Sequence, residues 1–251
     1  MIPDLHPRST LRSWLPTGFT LASMFCGYLS VTFTLKGSFL IAAWLIIAGG
    51  VLDASDGLLA RTLHSDSAFG GEVDSFADLI TFGLAPSLLI YRVYFDHWGI
   101  AGLAFGFLPT MMTAVRLSRY NLGWTSSTRE YFGGFTSTAN GALLASFVLF
   151  AHGLPGQELY PYIAAGLVVV SCVLMVSGVP YMTISKYTGG GVWKTKEGAL
   201  WVPVWVTVAL FPERAFFPAM LALMLLGPLA PRIERVAHHV HGIRRHAGAR
   251  S

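Results

Sequence analysis

Apolar residues fall in blocks along this chain instead of alternating with polar ones. Most blocks run to about 20 residues, the length an α-helix needs to cross a hydrocarbon core. The pattern predicts membrane-spanning helices over 19–35, 39–59, 73–95, 100–117, 135–151, 163–181, 199–211 and 217–230. The seventh is short, contains Pro203 and is flanked by Pro212, and the sixth carries Pro180 near its end. Proline is tolerated in such helices when neighbouring groups re-satisfy the backbone. Gly49-Gly50 and the Gly102/Gly106 pair offer small surfaces for close helix approach. The reading is an all-α, polytopic membrane protein of about eight transmembrane helices.

Charge orients these helices. With the N-terminus in the cytoplasm and sides alternating, 14 of the 17 Lys and Arg residues fall on the cytoplasmic face. Only Lys36, Arg92 and Arg214 fall on the other. This asymmetry runs in the expected positive-inside direction. It puts both termini in the cytoplasm and divides the chain into an interfacial segment at 1–16, a membrane domain at 17–231 and a basic tail at 232–251. The first apolar block is followed by others and reads as a permanent anchor instead of a cleaved leader.

Composition agrees with a lipid-facing chain. It is 53% hydrophobic and 12% charged, against about 25% charged in ordinary soluble domains. A net charge of +4 without a basic helix or aromatic-interleaved basic strip gives no case for nucleic acid. Cys26 and Cys172 lie inside apolar blocks and read as packing residues, not a disulfide framework. His238, His239, His241 and His246 in the tail are capable of binding a metal, but a solvated basic tail beside anionic lipid heads explains them more simply.

The chemistry concentrates where the second block ends and the third begins. Asp53 and Asp56 are three apart, and Asp74 and Asp78 four apart, so each pair shares one face of its own helix. A short connection makes the two helices antiparallel neighbours and lets the four carboxylates converge. Like charges in a low-dielectric setting need compensation, and a divalent cation supplies it. All-oxygen ligands favour magnesium, manganese or calcium over zinc. Simple helix caps are one alternative reading. Intramembrane acids also mark ion pathways, so a divalent-cation transporter is another. Gly57 and Ala60 leave the backbone open to a bulky anion, and Arg61 adds a planar donor fork suited to phosphate.

Asp53-x-x-Asp56-Gly57-x-x-Ala60-Arg61, eight residues, then Gly70-x-x-x-Asp74-x-x-x-Asp78 resembles the full signature of the CDP-alcohol phosphatidyltransferases. The resemblance to the phosphatidylserine synthase branch extends over 16–186, through Phe69–Asp78, Thr81–Pro86, Val115–Asn121 and Leu174–Tyr181. Departures are Thr17 after Pro16, Ser23, Gly178, and Gly134-Phe135-Thr136 where Gly-Leu-Pro is expected.

The resemblance implies a six-helix catalytic core, a homodimer, and a multi-pass place in the inner membrane with the site facing the cytoplasm. It implies metal ligation by Asp53, Asp56, Asp74 and Asp78, with two Mg2+ or Mn2+ ions per site and Ca2+ as an alternative bound ion. It assigns CDP-diacylglycerol to Asp56, Gly57, Ala60, Arg61, Gly70 and Asp74, and the role of general base to Asp78. The implied reaction moves a phosphatidyl group from CDP-diacylglycerol to the hydroxyl of L-serine, giving phosphatidylserine and CMP. Arg116, Arg119, Asn121 and Lys186 are the expected contacts to the serine carboxylate or a substrate phosphate, although positive-inside anchoring also explains the basic ones. Glycerol 3-phosphate or an inositol phosphate is the alternative acceptor.

Overall fold

The computed structural model describes residues 10–63, 68–122, 131–152, 154–155, 160–182 and 212–226. Within these, the side chains at 10–16, 56–63, 68, 131–132, 180–182 and 212–213 are outside the description. Two long helices come first, α1 (Thr10–Leu35) and α2 (Phe39–Leu63). They are joined by a tight turn in which Gly37 adopts φ 78°. Next comes a run of directly joined helical segments. It contains α3 (Ala68–Asp78), a π-helical segment (Leu79–Leu84), α4 (Ala85–Ile90), a second π-helical segment (Tyr91–Phe95), a 3₁₀ turn (Asp96–Trp98) and α5 (Gly99–Asn121). Strand β1 (Tyr131–Gly133) leads to α6 (Ser137–His152) and α7 (Tyr160–Val176). Strand β2 (Pro180–Met182) pairs antiparallel with β1, and α8 (Pro212–Leu226) closes the described chain.

The all-α class holds, but the eight-span expectation does not. Among the described residues there are six continuous helical stretches, and only two are long and apolar enough to cross a membrane, Thr17–Leu35 and Phe69–Asn121. Shorter apolar runs are Tyr160–Val176, Arg214–Leu226 and Phe39–Ser55, the last being the part of the 25-residue α2 whose side chains are described. The expected span at 199–211 lies outside the described residues. A helix rises 1.5 Å per residue, so the 17 residues of α7 reach about 26 Å of a roughly 30 Å hydrocarbon core. The blocks expected at 73–95 and 100–117 are helical segments joined directly through Gly99, whose φ of 56° turns the chain back on itself.

That fold-back is held along its length. A Cβ on Gly106 would stand 2.8 Å from Tyr91, and one on Gly83 would stand 3.3 Å from Thr113. Pro109 interrupts the backbone ladder inside α5. The next amide, Thr110 N–H, donates to Ser87 Oγ at 2.9 Å. A broken helical hydrogen bond is thus re-satisfied from the neighbouring helix, as apolar surroundings require.

The first π-helical segment lies at the centre of the molecule. Thr81, Phe82 and Gly83 are buried. Thr81 Oγ1 donates to Ser23 O on α1 at 3.1 Å, and Ser23 Oγ donates to Gly49 O on α2 at 3.0 Å. A Cβ on Gly27 or Gly49 would come within 2.7 or 2.6 Å of Thr81 side-chain atoms. Phe82 fills the seam between Gly50 and Gly141. Small residues thus let three helices close on one threonine and one phenylalanine. This junction ties the π-helical segment, which follows directly after Asp78, to α1 and α2, while among the described residues α3 itself packs along α1 and not α2.

Many large apolar side chains face outward, among them Phe25 at 59%, Tyr28 at 61%, Val173 at 64% and Ile100 at 86% exposure. Large apolar side chains exposed on several helices suit a lipid surrounding better than water. Together with the two membrane-length helices, they form the surface of a membrane protein.

Candidate functional site

Five elements end at one pole of the bundle: the C-terminal half of α2, α3, the C-terminus of α5, the N-terminus of α6 and the C-terminus of α7. Their meeting point is built from the loop before α6. Gly134 has φ 82°, and a Cβ there would lie 2.5 Å from Met175 O. Only glycine fits that conformation and that approach without strain. The loop is then tied to α7 by Phe135 N–H to Leu174 O at 3.1 Å, and to the residues between α7 and β2 by Gly134 N–H to Val179 O at 2.9 Å. Helix α6 starts from this fixed point. Thr136 caps it, its Oγ1 accepting the Ala139 N–H at 3.2 Å.

The two residues after the cap reach the acids. Ser137 Oγ donates to Asp78 Oδ2 at 2.9 Å, and Thr138 Oγ1 donates to Asp53 Oδ2 at 3.3 Å. Asp53 and Asp78, on different helices, are thereby brought to adjacent residues of a third. The sequence reading passed over Ser137 and Thr138, placing both inside an apolar span. The available signal was the run of three hydroxyls at Thr136–Thr138 opening that block.

Asp74 is half-buried on α3, one turn before Asp78. Gly70 opens the same helix, also partly buried. Asp56, Gly57, Ala60 and Arg61 lie on the last turns of α2, with side chains outside the described residues, and Lys186 is outside them altogether. The oxygen-only donor set suits a hard divalent cation. Among the described residues, however, no three His, Cys, Asp or Glu side chains are gathered to hold one.

The basic residues stand beside the acids. Arg116 lies within electrostatic reach of Asp78. Its Nε is buried and has no hydrogen-bond partner among the described residues. Arg119 Nη1 donates to Val176 O at 2.6 Å, at the end of α7. Cations are favoured at such a C-terminus by the helix dipole, so part of Arg119 is already committed. Both arginines line a small pocket with Gly133, Met175, Ser177 and Gly178. Asn121 Nδ2 donates to Ser75 Oγ at 3.3 Å, tying the end of α5 to α3 beside Asp74.

Sequence comparison identifies the family. The pattern of the CDP-alcohol phosphatidyltransferase family matches residues 13–208. The chain is similar to the CDP-diacylglycerol–serine O-phosphatidyltransferase of Helicobacter pylori strain J99, 35% identical over 174 residues, 68% of this chain and 73% of the relative. It is 29% identical to the enzyme of that name from Mycobacterium tuberculosis strain H37Rv, over 90% of this chain and 81% of the relative. It is 30% identical to the archaetidylserine synthase of Methanothermobacter thermautotrophicus over 66% of this chain and 69% of the relative. With the signature intact on α2 and α3 and the family pattern spanning most of its length, this chain is an enzyme of the CDP-alcohol phosphatidyltransferase family.

Proposed function

We propose that the enzyme transfers the phosphatidyl group of CDP-diacylglycerol to the hydroxyl of L-serine, releasing CMP, at the cytoplasmic face of the inner membrane. The observation that carries this reading is the convergence of Asp53 and Asp78 on one turn of α6. The names of the bacterial relatives favour serine as acceptor. Asp53, Asp56, Asp74 and Asp78 would hold Mg2+ or Mn2+. When bound, such ions neutralise the diphosphate and the charge developing on the leaving nucleotide.

The chain's own residues carry the rest of the step. Asp78 accepts the serine hydroxyl proton. The serine oxygen bonds to the phosphatidyl phosphorus as the bond from that phosphorus to the CMP oxygen breaks, and CMP leaves with the electron pair. A serine hydroxyl is a weak nucleophile at neutral pH, so a carboxylate within hydrogen-bond reach is needed. The Ser137 bond does not exhaust Asp78, since a carboxylate offers about four acceptor positions. Arg61 grips the nucleotide phosphates, and Arg116 and Arg119, with Asn121 and Lys186, receive the serine carboxylate. Two such chains form the working dimer.

The pocket favours serine over phosphorylated acceptors. Among the described residues its basic lining is Arg116 and Arg119, and Arg119 already donates to Val176 O. An acceptor with its own phosphate needs denser positive charge. The deciding experiment is CMP release by purified protein from labelled CDP-diacylglycerol. Serine, glycerol 3-phosphate and inositol phosphate are offered separately, each with Mg2+, with Mn2+ or with chelator. Release with serine and metal, and none with chelator, is expected. Preference for another acceptor, or full turnover without metal, refutes the corresponding part. CMP release in any form argues against cation transport as the main role.

A further inference from the structure

We infer that Ser137 and Thr138 are positioning residues that set the spacing of the carboxylates for cation binding and catalysis; this rests on the phosphatidyl-transfer reading above. Consecutive helical residues diverge by about 100° around the axis. Two adjacent hydroxyls therefore cannot serve one helix, and here they do not. Thr138 reaches Asp53 on α2, and Ser137 reaches Asp78 on α3. The first turn of α6 is a spacer between the two acid-bearing helices.

Three features make this more than a local cap. A hydroxyl at a helix start ordinarily accepts from the helix's own backbone, but Thr136 already does that for α6. The next two hydroxyls are thereby released to point at acids 59 and 85 residues away in sequence. Second, the spacer is itself anchored. Phe135 binds the α7 backbone and Gly134 the segment just after it, immediately before the cap, so the hydroxyl positions are not set by the acids they serve. Third, Ser137 is only 5% exposed and Asp78 is part-buried. A donor to a charged carboxylate is worth roughly twice a neutral one, and here little water competes for the bond.

The two hydroxyls have different consequences. Thr138 orients Asp53, placed among the metal ligands alone, so its loss acts on cation affinity. Ser137 orients Asp78, assigned the base as well, so its loss acts on the chemical step. Partners of metal-binding carboxylates typically change metal affinity or activity about 10–100-fold when removed.

The test uses full-length protein in detergent and Mn2+ alone as the probe, titrated by electron paramagnetic resonance without lipid substrate, alongside single-turnover CMP release with serine. Thr138→Val should weaken Mn2+ binding by about tenfold or more, and Thr138→Ser, which keeps the hydroxyl, should restore most of it. Ser137→Ala should slow single-turnover CMP release about 10–100-fold with a smaller change in Mn2+ affinity, and Ser137→Thr should recover rate. Thermal unfolding and gel filtration accompany each variant. Unchanged Mn2+ affinity and rate in both hydroxyl-deleted variants overturns the inference. So does equal loss in the hydroxyl-keeping variants, which would trace the effect to packing. Parent protein that binds no Mn2+ overturns this inference together with the metal reading. Parent that binds Mn2+, with both deletions silent, overturns this inference alone.

Discussion

The two poles of the bundle solve the same problem differently. At the pole away from the aspartates, rings fill the space. Phe95 contacts Trp98 and Phe105, and Phe147 contacts Tyr94, Tyr160 and Phe217. The charged pair there, Arg92 and Asp96, is four residues apart on one helical turn, with Nη1 to Oδ2 at 2.7 Å. At the carboxylate pole the charged groups are held from afar. Ser137 and Asp78 are 59 apart, Thr138 and Asp53 are 85 apart, and Arg119 and Val176 are 57 apart. A charge neutralised by its own turn is locally stable wherever it lies. A charge held by another helix is in place only when the whole fold is, and that is what a site assembled from several helices needs.

The strongest way to sharpen this contrast is to remove single charges from the carboxylate pole. Asp78→Asn should lower single-turnover CMP release about 10²–10⁴-fold, the usual share of general acid–base catalysis. Asp56→Asn should instead weaken Mn2+ and CDP-diacylglycerol binding together, because a ligand charge is lost. Donor affinity measured against chemical rate at saturating metal separates the two. A near-normal rate for Asp78→Asn would rule Asp78 out as the base.

Next in size are the changes that strain or empty the frame. Phe217, buried where α8 meets α6, contacts Phe147 and Phe150. Phe217→Ala should cost up to about 3–5 kcal/mol of stability, the range for deleting a buried ring, while the KM for serine stays put. Gly134→Ala forces a side chain into φ 82° and against Met175 O. The backbone term alone is about 1–3 kcal/mol. Because Gly134 sets the start of α6, this variant should lose rate as well as melting temperature. Rate lost in Phe217→Ala beyond its share of unfolded protein would break the comparison.

The smallest effect belongs to the local pair. Arg92 and Asp96 are 38% and 35% exposed at their side chains, and pairs of that kind contribute about 0–1 kcal/mol. Arg92→Gln should leave CMP release unchanged and shift melting little. A large catalytic loss there would show that the poles are coupled.

What was legible in the sequence was local in the chain. The spacing of Asp53 and Asp56, and of Asp74 and Asp78, follows from helical periodicity, and α2 and α3 carry those residues. The family signature is readable because its positions lie within two helices and one short connection. Gly49, Gly50 and Gly106 stood out as close-approach surfaces, and each meets a neighbouring helix in the fold.

Hydropathy alone predicted eight spans where the described residues hold two membrane-length apolar helices, because an apolar block does not show how neighbouring helical segments join. Only the tertiary structure decided which helix lies across the seam between α2 and α3. Ser137 and Thr138 have no periodic relation to the acids they hold. Their role exists because Gly134 docks a loop on α7, Thr136 caps α6, and Phe82 and Thr81 close three helices beneath the aspartates. Residue type and spacing determined the chemistry available to this chain, since carboxylates are good hard-cation ligands and weak bases in any fold. The distances at which those carboxylates are held were settled by packing between helices remote in sequence, which no local pattern encodes.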